Sequence, residues 1–128
     1  MFQHISLPPD VLPPVAPYSH AVRAGDFLFV TGQLAEDATG VVGGDTIEAE
    51  TTQVMENLKQ VLAEAGSSFD RVAMARIFVT DFDFYEPVNQ IYASYFQPGR
   101  LPGRTTVGVT ALAGSGKVEI DLIAYCGN

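Results

Sequence analysis

The sequence contains a single cysteine and few basic residues, and each shortage excludes a class of protein. Cys126 alone can form neither an intramolecular disulfide nor a cysteine-rich metal site, and its place in a strand-like run predicts a small apolar strand residue. The 7 lysines and arginines are scattered among 15 acidic residues, which leaves a formal charge of −8. Because nucleic-acid-binding proteins cluster positive charge to neutralise phosphates, we expect no nucleic-acid partner.

Long apolar runs are also missing. No window approaches the roughly 18 uninterrupted apolar residues of a membrane span, and residues 1–14 have neither the basic stretch nor the apolar core of a signal peptide. These features predict a cytoplasmic protein with no membrane partner. With 47% apolar and 17% charged residues, the chain has the composition and length of one compact domain over residues 1–128.

The common catalytic motifs are missing as well: no Gly-x-x-x-x-Gly-Lys-Ser/Thr phosphate loop, no Gly-x-Gly-x-x-Gly, no His-Glu-x-x-His and no Gly-x-Ser-x-Gly. The two histidines, His4 and His20, are too few for a histidine-rich site, so we predict no bound metal. Ser19 and His20 are neighbours, but adjacent strand residues point to opposite faces. We therefore interpret His20 as a surface or interface histidine.

The first part of the chain predicts a hairpin. Residues 20–25 and 27–33 have the composition of two strands, and Gly25-Asp26 between them suits a tight turn. A further short strand is expected near residues 2–7. The glycine-rich segment 35–45 predicts a loop.

Two segments change to helical spacing. Apolar residues recur at helical intervals over 48–65, where Asp45 and Glu48 suit an N-terminal capping pair and Gly66 suits the C-terminal end. A second helix is predicted over 83–96, with Asp83 and Glu86 near its start.

Three strands are predicted in the rest of the chain, over 72–81, 104–110 and 117–126. In the last strand, apolar residues alternate with Glu119 and Asp121, so one face is apolar and the other carries carboxylates. The order of elements predicts an α+β fold: one mixed sheet with two helices packed on one face. The opposite face then needs a cover, which self-association would supply.

Several polar residues of these elements are candidates for a site: Tyr18, Thr31, Gly32, Asn89, Arg104 and Glu119. The planar fork of Arg104 suits a carboxylate, because it can donate two parallel hydrogen bonds to one. Four of these residues also have a structural interpretation. Arg104 suits an edge-strand charge or an ion-pair partner, and Glu119 a solvated strand position. Tyr18 suits interface packing, and Asn89 an amide on a helix surface.

At these residues the sequence resembles the RidA family, also called YjgF or reactive intermediate deaminase, along almost its whole length. The resemblance rests on motifs in the family's order: Pro-Tyr-Ser at 17–19, Val-Thr-Gly-Gln at 30–33, Val-Asn-x-x-Tyr at 88–92, Pro-x-Arg at 102–104 and Val-Glu-Ile at 118–120. It implies a chorismate-mutase-like fold with a mixed six-stranded sheet, assembled as a homotrimer with clefts between subunits.

The resemblance also implies an activity without a cofactor. Active family members hydrolyse 2-imino or enamine acids, such as 2-aminoacrylate, to 2-keto acids and ammonia. By position, Arg104 matches the arginine that grips the substrate carboxylate, and Glu119 the acid that holds or activates the attacking water. The remaining matched positions line the pocket and bind substrate: Tyr18, Thr31, Gly32, Asn89 and Thr106.

This sequence departs from the family pattern at Gly103, where alanine is usual, at Thr106, where cysteine is common, and at Thr31, where serine is usual. These changes leave the substrate range open, including another enamine such as 2-aminomuconate. A non-catalytic protein that binds a 2-keto acid or related carboxylate is an alternative, because Arg104 suits that role equally well. Ribonuclease or translation-inhibitor activity, a label used for parts of the family, is disfavoured by the acidic composition.

Overall fold

The computed structural model describes residues 1–41 and 45–128. Its elements, in chain order, are β1 (Phe2–Ile5), β2 (Ala21–Ala24), β3 (Phe27–Gln33), β4 (Glu36–Asp37), β5 (Gly40–Val41), α1 (Ile47–Glu64), β6 (Val72–Val79), α2 (Tyr85–Ala93), β7 (Gly103–Gly108) and β8 (Val118–Tyr125). Six strands form one sheet in the order β1-β2-β3-β8-β6-β7, and β4 and β5 form a separate ribbon. Among the described strands of the large sheet, only β6 and β7 are parallel. The predicted α+β fold with a mixed six-stranded sheet is confirmed.

The predicted hairpin is also confirmed, because Ala24 pairs with Phe27 across Gly25 and Asp26. Gly25 has a φ of +64°, which glycine adopts without steric cost. The loop prediction for 35–45 is wrong where β4 and β5 pair, and its residues 42–44 lie outside the described residues. The ribbon forms because the Asp37 side chain accepts a 2.7 Å hydrogen bond from the Thr39 amide and so closes the turn.

Helix α1 begins one residue away from the predicted cap. Thr46, rather than the pair of Asp45 and Glu48, caps the helix: its hydroxyl accepts a 3.0 Å hydrogen bond from the Ala49 amide. The C-terminal prediction is confirmed, because Gly66 has a φ of +76° and the next amide returns to the carbonyl of Leu62.

Helix α2 is shorter than the predicted 83–96. Residues 82–84 form a 3₁₀ turn that precedes the helix, and its cap is Asp81, whose side chain accepts a 2.8 Å hydrogen bond from the Asp83 amide. Val88 and Tyr92 are the buried residues of the helix and belong to the same hydrophobic core as the buried side of α1. This packing places the polar residues of α2 near the edge of the sheet.

The core lies between the helices and one face of the sheet. Val118, Ile120 and Leu122 of β8 are at most 2% exposed, as the alternation in that strand predicts. Cys126, just after β8, is a small buried residue, also as predicted.

The opposite face of the sheet is uncovered in the single chain. Phe27, Phe29 and Val107 are 45%, 48% and 40% exposed, and Arg76 forms a 2.7 Å ion pair with Asp121 on the same face. The expectation that this face needs a cover from outside the chain is consistent with its exposure; the cover itself stays a prediction. Among the described residues, no helix has the length and apolarity that crossing a bilayer requires.

Candidate functional site

Arg104 projects from the edge strand towards the helix-covered side of the sheet. In the parallel pairing of β6 and β7, Arg104 lies beside Ala75, a fully buried core residue, so both side chains point to the same face. The guanidinium carbon lies 5.3 Å from the ring centre of Tyr92 and 5.5 Å from that of Tyr85. These cation–π contacts fix the position of a long, flexible side chain.

The guanidinium has no anionic partner in the part of the chain that the structure describes. No carboxylate of these residues lies within 4.0 Å of Arg104, whereas Arg76 has Asp121 at 2.7 Å. A half-buried arginine that is held by two aromatic rings and lacks a counter-ion is arranged to bind an anion from outside the chain.

A cavity of about 300 Å³ opens beside this guanidinium. Its lining residues are Asn89, Tyr92, Ala93, Leu101, Pro102 and Arg104. The side-chain amide oxygen of Asn89 (Oδ1) and the hydroxyls of Tyr92 and Thr106 are buried and have no hydrogen-bond partner among the described residues. Burial raises the pKa of Tyr92 to about 12, although the charge of Arg104 opposes part of that rise. The cavity is therefore mostly apolar, with one cation and a few unused polar groups, as small-molecule sites are.

Glu119 belongs to the opposite face. It lies on β8 beside Phe78 of β6, and the neighbouring Val118 and Ile120 are the residues that enter the core. Burial, and then the charge of Asp121, raises the pKa of Glu119 above the usual range of a glutamate. A half-buried carboxyl of this kind can accept a proton near neutral pH more readily than an exposed one.

Gly32 leaves the space that the Glu119 carboxylate occupies. The pairing of β3 with β8 changes register between Val30 and Gln33, which places Gly32 in an irregular segment against β8. A Cβ atom on Gly32 would lie 2.4 Å from Oε2 of Glu119. Only glycine permits this close approach of backbone and carboxylate.

Tyr18 and Thr31 lie on the same side as Glu119. The Tyr18 hydroxyl donates to Oε1 of Glu36 over a long 3.4 Å, and its pKa is raised by burial first and then by the charge of Glu36. The Thr31 hydroxyl donates a 2.6 Å hydrogen bond to the carbonyl of Ser19, which ties β3 to the segment before β2. Its hydroxyl is thus used within the chain.

The predicted site residues consequently form two groups. Arg104 and Asn89 line the cavity, and Thr106 lies on the same face of β7 as Arg104; we call these three residues the arginine half-site. The other predicted residues, on the opposite face, are called the glutamate half-site: Tyr18, Thr31, Gly32 and Glu119. Because the two half-sites use opposite faces of one sheet, a small molecule held by Arg104 cannot touch Glu119 of the same chain.

Three residues near these half-sites were not predicted. Tyr92 ends the Val-Asn-x-x-Tyr motif and lies one helical turn after Asn89, so the two side chains share a face of the helix. This spacing could have identified Tyr92 from the sequence. Tyr85 precedes that motif and gave no such signal. Glu36 lies in the segment predicted as a loop, where an acidic residue is expected to be solvated, yet it is only 1% exposed.

His20 has a structural role instead of the predicted surface or interface position. It is fully buried, and its Nδ1 accepts a 2.9 Å hydrogen bond from the Leu7 amide. Burial lowers the pKa of His20, so the imidazole is neutral and can accept that bond. Over residues 1–41 and 45–128, no three side chains of the types that bind metals are grouped to share an ion.

Comparison with known proteins gives consistent results. The family model described as endoribonuclease L-PSP matches residues 9–126. The chain is 38% identical over 113 residues to a RutC family protein of Pyrococcus horikoshii, across 88% of this chain and 89% of that one. It is 35% identical over 111 residues to the chloroplastic Reactive Intermediate Deaminase A of Arabidopsis thaliana, across 86% of this chain and 59% of that protein. A structure from the conserved Rid family of Yersinia pestis matches with a TM-score of 0.90 and 33% identity, covering 98% of this chain and 99% of that one.

Proposed function

Since the chain belongs to the RidA/YjgF family, we propose that it hydrolyses 2-imino and enamine acids, such as 2-aminoacrylate, to 2-keto acids and ammonia. The observation that carries the proposal is the guanidinium of Arg104, which two tyrosines hold beside a cavity and which lacks a counter-ion among the described residues. This arrangement suits the carboxylate that all such substrates share.

The reaction needs little catalytic machinery. A protonated imine is already electrophilic, so the site has to orient it, supply water and transfer protons. Arg104 binds the carboxylate end. Glu119 accepts a proton from water as the oxygen adds to the imine carbon, and then gives that proton to nitrogen. As the C–N bond breaks and the carbonyl forms, the hydroxyl proton of the intermediate passes to Glu119 and from there to the departing ammonia. The products are the 2-keto acid and ammonia. The hydrolysis involves no net oxidation or reduction, so it needs no redox cofactor.

We also propose that the site forms between subunits of a homotrimer. The arginine half-site of one protomer would face the glutamate half-site of the next, because one chain cannot bring the two to the same molecule. The exposed Phe27, Phe29 and Val107 on the open face supply apolar surface for that contact. The two half-sites are different surfaces, so a head-to-tail ring suits them, and the family resemblance supports three subunits.

The direct test is ammonia release from imino acids generated in situ by an amino-acid oxidase. The intact protein should accelerate release, and Arg104→Ala should abolish the gain. Arg100→Ala is the matched control, since Arg100 is exposed and does not line the cavity. A panel that includes apolar imino acids and 2-aminomuconate would define the substrate range that Gly103 and Thr106 leave open. Unchanged ammonia release with the intact protein across the panel would refute the proposal.

One observation favours a second candidate function, which is binding of a 2-keto acid or similar carboxylate without catalysis. The arginine half-site and its cavity exist in a single chain without any contribution from Glu119. A pure binder would be stabilised by a 2-keto acid in the intact protein and in Glu119→Ala, but not in Arg104→Ala, and it would show no turnover.

We do not propose RNA cleavage for this chain, although the matching family model is described as an endoribonuclease. With 15 acidic and 7 basic residues, the protein repels phosphate overall, and RNA affinity depends on clustered positive charge. RNA cleavage that is lost with Arg104→Ala or Glu119→Ala would reverse this conclusion.

A further inference from the structure

Glu36 is a buried carboxyl group without an evident structural role. Its side chain is 1% exposed, and Oε2 has no hydrogen-bond partner among the described residues. The backbone of this residue is already held, because the Asn57 amide donates a 2.8 Å hydrogen bond to the Glu36 carbonyl. Burying an unpaired carboxyl group is unfavourable by several kcal/mol when the group is ionised. The chain therefore retains this side chain at a cost that an apolar residue would avoid.

The side chain of Glu36 points to the glutamate half-site. Its Oε1 lies 3.4 Å from the Tyr18 hydroxyl, the long hydrogen bond described above. The titratable groups that act on it are Tyr18, from the segment before β2, and Glu119, from β8. Helix α1, which packs against β4, presents the neutral amide of Asn57 there. Of the residues that the structure describes, no basic side chain is among the groups that act on Glu36.

The electrostatics of the two glutamates support a functional link. Burial raises the pKa of Glu36; hydrogen bonds with the Tyr18 hydroxyl and the Leu34 backbone oppose the rise, and the charge of Glu119 adds a smaller increase. The pKa of Glu119 is raised as well, by burial first and then by the charge of Asp121. Two carboxyl groups that interact in a site of low polarity lose their protons in coupled steps, and a neutral carboxylic acid can act as a hydrogen-bond donor.

We propose that Glu36 is a positioning residue of the glutamate half-site: it orients the Tyr18 hydroxyl and titrates together with Glu119 as a coupled pair. The proposal rests on the function proposed above. Glu36 does not touch the substrate, because it is buried behind Tyr18. It acts by setting the charge of the pocket and the number of protons bound there. In that pocket Glu119 exchanges protons with water and with the substrate nitrogen.

The catalytic test compares Glu36→Gln with the intact protein over a range of pH. Glutamine keeps the size of the side chain but cannot ionise. We expect kcat to fall about tenfold, a part of what positioned proton transfer contributes, while KM changes little. The dependence of kcat on pH should also become simpler, because only one of the two carboxyl groups, that of Glu119, can still ionise. Glu64→Gln, an exposed substitution on α1, is the matched control and should leave both unchanged. An unaltered kcat and pH profile in Glu36→Gln would overturn the proposal.

A second measurement does not depend on turnover. The carboxyl carbons of Glu36 and Glu119 can be titrated by NMR in the intact protein and in each Glu→Gln variant. Coupling is reciprocal, so removing either charge should lower the pKa of the remaining carboxyl group by the same amount. Independent titration would refute the pairing whatever the activity. An intact protein that hydrolyses no imino acid would instead refute the proposed function, and the NMR titration would still decide the pairing.

Discussion

Gly32→Ala should disable the site while leaving the fold intact. The added Cβ would lie 2.4 Å from Oε2, 3.0 Å from Cδ and 3.2 Å from Cγ of Glu119. Gly32 does not have a positive φ, so alanine fits the backbone at this position. The clash is therefore confined to the end of one flexible side chain, and the carboxylate has to move.

The expected size of the effect follows from that displacement. Ordinary contacts of a Cβ begin near 3.4 Å, so Oε2 must retreat by about 1 Å. Misplacing a reacting group by about 1 Å lowers rates roughly 100-fold, which corresponds to about 2.7 kcal/mol of transition-state stabilisation. The free energy of unfolding should change by less than about 1 kcal/mol, because the moving group lies at the end of a flexible side chain.

The assay is the ammonia-release measurement, combined with a double-mutant cycle. If Gly32→Ala acts through Glu119, the double variant Gly32→Ala/Glu119→Ala should be no slower than Glu119→Ala alone. Gly108→Ala is the matched control, since its Cβ would meet Phe82 at an ordinary 3.5 Å. Near-normal activity in Gly32→Ala, or additive losses in the double variant, would refute the role assigned to this contact.

Three other predictions concern assembly and stability. Phe29→Glu places a charge on the open face, where Phe29 is 48% exposed, and should yield folded monomers by sedimentation equilibrium; a persistent trimer would place the interface elsewhere. Glu50→Ala removes the carboxylate that accepts the amides of Lys117 and Val118 at the start of β8, and should lower the free energy of unfolding by about 3 kcal/mol in urea titrations; a loss below about 1 kcal/mol contradicts that role. Thr46→Ala should cost about 1 kcal/mol by the same measurement and Asp45→Ala almost nothing, whereas the reverse order would restore the cap predicted from sequence.

Features with a short sequence range were predictable from the sequence. The alternation around Glu119 correctly placed Val118, Ile120 and Leu122 in the core, because strand side chains alternate faces whatever the partner strand. The Gly25-Asp26 turn and the Gly66 helix end were predictable for a similar reason, since each depends on a backbone conformation that few residues adopt. The prediction of the α1 cap was wrong by one residue, because Asp45 and Thr46 are both residue types that suit an N-cap.

What the tertiary structure decided is where distant residues meet. The sequence alone determined that Glu119 lies opposite the core, and family motifs singled out Arg104. Only the parallel register of β6 and β7, which pairs Arg104 with the buried Ala75, shows that the two side chains belong to opposite faces. Likewise, only the folding of β4 against α1 brings Glu36 to Tyr18. Strand order and register are set by packing over the whole chain, and no local pattern of residues records them.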